Sequence, residues 1–184
     1  MNLLFREAKT TQAAARLLTL RGGEMNYMKL IKLLYIVERE ALLRWGRPVT
    51  ADRCVSLRHG PVLSQTLNLI NEGPTPQAES VWVRHISQPA DYAVRLLAPT
   101  DNDELSVAEL ALIEEVFARH GKMNRWDLVE HVHTFPEWQD PDGSALPISY
   151  HDILKAGGKT EAEIAAVLED IEELICAEAV FPAV

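Results

Sequence analysis

The sequence predicts a mainly α (α+β) protein, a compact helical domain around a central buried helix with a small β-hairpin or short antiparallel sheet. Three observations carry this. Residues 26–46 form one long amphipathic segment with a start signal at Asn26 and a stop signal at Gly46. Several further segments carry helix caps, namely Ser106 with Glu109, Asn124, and Thr160 with Glu163. Only two short runs, 81–86 and 92–97, have the alternating, β-branched and aromatic composition of strands.

The 184 residues suit one domain spanning 1–184, long enough to bury about 70% of the surface of its unfolded chain. With 47% hydrophobic and 24% charged residues the composition is that of a soluble globular protein. No apolar run approaches the ~20 residues of a membrane span, and the N-terminus lacks the basic-then-apolar layout of a signal peptide. Cys54 and Cys176 offer neither a metal spacing nor a disulfide framework, so both are read as reduced thiols and the protein as cytoplasmic. Charge is uneven: the first 100 residues hold 13 Lys/Arg against 8 Asp/Glu, and the remainder 5 against 19. Such a dipole can steer a partner, while the overall acidity disfavours non-specific nucleic-acid binding.

In chain order, a first helix is expected over residues 7–20, with Ala13, Ala14, Leu17 and Leu18 on its packing face and Gly22-Gly23 at its end. The short link predicts an antiparallel pair with the central helix. Within the latter, at ~100° per residue, Lys29, Lys32, Arg39, Glu40 and Arg44 fall in one polar stripe and apolar side chains cover the rest. Glu38 breaks the pattern by projecting into the apolar arc, so it needs a cationic or hydrogen-bonding partner or becomes protonated. Arg53, Arg58 and His59 are the candidates downstream; the carboxylate is either half of a structural ion pair or a catalytic acid or base. Pro61, after His59-Gly60, suits the first position of a third helix ending at Gly73-Pro74, followed by a stiff loop to Pro76. Residues 81–97 then read as an inserted β-hairpin whose apolar face, Trp82 especially, lies on helices or on a third strand. An acidic linker at 101–105 leads to a C-terminal helical segment, 106–184. Its helices run from Ser106 to about His120, from Arg125 to about His133 with Trp126, Leu128, Val129 and Val132 facing the core, and from Thr160 to about Glu178.

The run Lys29-Leu30-Ile31-Lys32-Leu33-Leu34-Tyr35, the Glu38-Arg39-Glu40 that follows, the His59-Gly60-Pro61-Val62 turn and Pro136-Glu137-Trp138 together resemble the Panacea domain, the SocA-like antitoxin family of bacterial and phage toxin–antitoxin pairs. The resemblance reaches from about Lys29 to Leu154, through a Pro147-Ile148 segment like that of one subgroup. It implies a mainly helical fold with a small β element and neutralisation of a cognate protein toxin by direct contact. For some members it further implies delivery of the toxin to an ATP-dependent protease such as ClpXP. Tyr35, Glu38, His59, Gly60, Pro61, Val62 and Trp138 are then structural motif residues. Toxin contact is expected from Lys29, Lys32, Arg39 and Arg44 of the polar stripe and from Trp82 and Arg84 of the hairpin. The apolar C-terminal tail, 177–184, is either a protease handle or core packing.

No zinc-protease, serine-hydrolase, P-loop or dinucleotide motif occurs. His131 and His133, two apart on a helix, point about 200° from each other and are poorly placed to share a metal. No enzyme activity, cofactor or metal is therefore expected. Two alternatives stay open: a DNA-binding autoregulator of its own operon, although no helix-turn-helix with a basic recognition helix stands out, and a small hydrolase using Glu38 and His59.

Overall fold

The computed structural model describes residues 5–73 and 80–180, with side chains described to Ala177. The expected stiff loop from Pro74 on, and the tail beyond Ala177 as handle or packing, lie outside the described residues. Helix α1 (Glu7–Arg21) ends on Gly22 in the left-handed conformation, whose N–H returns to the Leu18 and Thr19 carbonyls. A short strand, β1 (Glu24–Asn26), then joins it to α2 (Tyr27–Trp45). The Asn26 side chain accepts from the Met28 and Lys29 amides at 3.1 and 3.4 Å, and Gly46 at φ +66° closes the helix. Leu30, Leu33, Leu34, Tyr35 and Ala41 have no exposed surface. The apolar arc of α2 is that wide because α1 and the later helices at Ser64–Glu72, Val107–His120, Arg125–His133 and Tyr150–Ala156 all pack on it.

Where the sequence suggests a turn into a helix at Pro61, the chain forms a hairpin of β2 (Cys54–Leu57) and β3 (Gly60–Leu63). Leu57 pairs with Gly60, leaving Arg58 and His59 as a two-residue turn. Pro61 sits in β3, an edge strand of a three-stranded sheet with β2 at its centre, where a missing N–H is tolerated. Helix α3 (Ser64–Glu72) therefore starts three residues later than Pro61 implies.

The 81–97 hairpin is also corrected. Trp82–His85 is one helical turn, α4, and β4 (Ala93–Arg95) pairs with β1, Met25 opposite Val94; of the first run only Ile86 bridges to Leu96. A strand would put Trp82, Arg84 and Ile86 on one face. The helical turn brings Trp82 and Ile86, 0% and 1% exposed, into the core and leaves Arg84 outside.

The C-terminal helices follow their caps. Ser106 and Glu109 close a capping box on α5 (Val107–His120), and Asn124 caps α6 (Arg125–His133). Strand β5 (Leu146–Ile148) pairs with β2. Helix α7 (Tyr150–Ala156) carries a Ser149–Asp152 box, and Thr160 and Glu163 cap α8 (Glu161–Val180). Trp126, expected inside, is half exposed, because it lies about 110° around α6 from the direction shared by buried Leu128, Val129 and Val132.

Candidate interaction surface

The first half of the polar stripe of α2 does not face solvent. Lys29 and Lys32 are 6% and 1% exposed. Lys29 Nζ donates to the Gly121 and Met123 carbonyls at 2.5 and 2.7 Å, tying the α5–α6 turn to α2. Burial, with the nearby Arg21 charge, lowers its pKa. Lys32 Nζ donates to the Pro61 carbonyl at 2.8 Å, and burial pushes it down to about 7. Both long side chains lay their methylenes along the core and spend their ammonium groups on loop carbonyls.

Further along α2, Arg39 Nε donates to Glu137 Oε1 at 2.6 Å, and the Tyr35 hydroxyl donates to the same oxygen at 3.0 Å. The Arg39 guanidinium lies 4.4 Å over the Phe135 ring. Next to it the Trp138 indole donates to the Leu57 carbonyl at 3.0 Å and stacks on His133 at 4.0 Å. The Pro136-Glu137-Trp138 motif is thus a clamp holding the β2–β3 hairpin against α2 and α6. Gly60 completes it: it adopts φ +94°, and a Cβ there would meet Val132 Cγ2 at 2.6 Å. Val62, beside Pro61, is 3% exposed in the core.

Glu38, 1% exposed, pairs with no cation among the described residues. Its Oε2 accepts from the Val49 and Thr50 amides, both at 2.8 Å, and its Oε1 from the Thr50 hydroxyl at 2.9 Å. The expectation of Arg53, Arg58 or His59 as partner is corrected, because a loop with two unspent amides reaches the carboxylate. Burial raises Glu38 to about 7 against these hydrogen bonds, which pull it down. Asp52 pins the same loop to α3, accepting from the Gln65 and Thr66 amides at 2.9 and 2.8 Å. Exposed His59 instead meets the Trp126 ring edge at 5.7 Å, so the structure does not assemble a Glu38–His59 acid–base pair.

Of the residues expected to contact a partner, then, Lys29, Lys32 and Trp82 are inside the fold, and Arg39 is held in its bridge. Arg44 is exposed and joins Glu40 and Glu115 in a surface network across α2 and α5, and Arg84 is exposed. Sequence reasoning missed Tyr92 and Trp126, 67% and 50% exposed. Tyr92 is held at φ +63° in a tight turn after Asp91, stacks on Tyr27 at 6.5 Å, and receives the Tyr27 N–H on its carbonyl. A bulky residue in that left-handed region is uncommon, and such outliers gather at functional sites. The signal that could have found it is Asp91-Tyr92 between two runs of strand character.

Among the described residues no group of three or more His, Cys, Asp or Glu could hold a metal, and no helix is long and apolar enough to cross a membrane. No curated protein and no solved structure matches the chain significantly. The family model described as antitoxin SocA-like, Panacea domain, matches residues 30–139, from the first turn of α2 through the Glu137–Trp138 clamp, so the chain belongs to the SocA-like antitoxin family.

Proposed function

We propose that this protein is an antitoxin that binds and neutralises a cognate protein toxin by direct contact. The observation that supports this most is how the family's charged motif is used. Lys29, Lys32, Glu38 and Arg39 are all engaged in holding loops to α2, with the deepest of them 1% exposed, which leaves contact to the outer surface. There, Tyr92 and Trp126 offer the large, rigid aromatic area from which protein-binding hot spots are built. The test is co-expression with the neighbouring reading frame. That frame alone should stop growth, and this chain should restore it and co-elute with the frame's product. Restored growth without co-elution would overturn direct contact, and no restoration would overturn the antitoxin reading. Delivery of the bound toxin to an ATP-dependent protease is a further step, read by whether toxin half-life shortens in cells that carry this chain.

A further inference from the structure

Between the turn after α1, strand β1, the start of α2 and the α5–α6 turn lies an open cleft of about 570 Å³. Four cations line it: Arg21, Lys29, Lys122 and Arg125. The single carboxylate among the lining residues, Glu24, is already paired with Arg95 at 2.5 Å. Lys29 sits at the floor with its Nζ on the Gly121 and Met123 carbonyls, while Arg21, Lys122 and Arg125 are exposed around the mouth. Among the described residues no carboxylate lies within ion-pair distance of these three. A concentration of uncompensated positive charge is unexpected in a chain of net charge −9.

Each of the two missed aromatics adjoins a residue of the cleft wall. The Arg125 guanidinium lies 5.2 Å from the Trp126 ring. Asn26, also in the wall, precedes Tyr27, on which Tyr92 stacks. We infer that the Arg21–Lys122–Arg125 cleft, with Trp126 and Tyr92 next to its wall residues, takes an acidic segment of a protein partner that carries apolar side chains beside its carboxylates. The inference rests on the antitoxin reading for the identity of that partner as the toxin. Charge complementarity chooses the sign of the partner and speeds encounter, and the aromatics supply the desolvated contact. A long polyanion fits less well, because the acidic C-terminal half repels charge extended beyond the cleft.

The test uses the purified full chain and its Lys122→Glu/Arg125→Glu variant, which alters exposed side chains only. Decaglutamate should bind the wild type, more weakly as salt rises, and bind the variant at least about tenfold more weakly at equal melting temperature. Toxin protection should be lost in the same variant. A variant that stays folded and protects fully, or decaglutamate binding equal in both proteins, would overturn the inference. So would oligothymidylate binding tighter than decaglutamate, which would make the cleft a nucleic-acid site. If the wild type fails to protect while decaglutamate binding follows the expected pattern, the antitoxin reading falls and the acidic-segment site stands.

Discussion

Replacing Glu38 isolates what the buried carboxylate does. Glu38→Ala removes three acceptor contacts and leaves the Val49 and Thr50 amides and the Thr50 hydroxyl proton without an acceptor, although the hydroxyl oxygen still accepts from the Asp52 amide. At about 1 kcal/mol for each unsatisfied group, plus a cavity left by the lost methylenes, the cost is on the order of 3–5 kcal/mol. For a chain of this size that lowers the melting temperature by roughly 6–20 °C. Glu38→Gln keeps one acceptor oxygen and the volume, and removes the cost of burying charge. Its behaviour against pH is the sharper test. Burial raises Glu38 to about 7 from its ordinary value of 4.5, so between these values the folded state holds a proton the unfolded state has lost. The stabilisation is full below about 4.5 and is lost as pH rises through about 7. Urea unfolding of both proteins from pH 5 to 8 should show the wild type losing stability against Glu38→Gln by up to about 3 kcal/mol. Parallel pH curves for the two, or a Glu38→Ala protein that melts like the wild type, would refute the reasoning.

Three other outcomes follow from single contacts. Gly60→Ala should destabilise by about 2–4 kcal/mol in denaturant titration, since it meets both an unfavourable φ and the Val132 methyl. Trp138→Phe keeps the ring but loses the indole bond to Leu57, so its melt should report a loss of about 1–2 kcal/mol. His120 and His131 stack at 4.7 Å, and burial together with the other's charge or that of Arg119 lowers both pKa values. Their contribution is full above the ordinary histidine value of about 6.5 and is lost as pH falls below it through their lowered folded-state values, so His131→Phe should flatten the acid limb of the stability curve.

The helices were legible because their ends are written in local chemistry. Asn26, Ser106, Asn124 and Thr160 each cap the helix that follows, and Gly22 and Gly46 each stop one. The β parts were not, because their partners are distant. Residues 93–95 find β1 some 70 positions earlier, and β2 is completed by β5 some 90 positions later. Pro61 misled because a residue suited to a helix start is equally tolerated in an edge strand. The polar stripe misled for another reason. Helical phase gives a direction and not a distance, and lysines can reach carbonyls on neighbouring loops from the margin of a buried face. Trp126 and Tyr92 misled because their residue type reads as core, although the helical phase of Trp126 and the Asp91-Tyr92 turn signal both point outward.

Under the proposed function, the charged residues of the family motif hold the fold together and recognition is left to the outer surface. The most direct measurement is toxin affinity alongside melting temperature for Arg39→Gln, Glu137→Gln and their double variant. Loss of the bridge and of the Tyr35 contact should lower the melting temperature in each single variant, with the two effects less than additive. Toxin affinity of the protein that remains folded should be unchanged. Variants that melt like the wild type but no longer hold the toxin would make these charges contact residues and contradict the account.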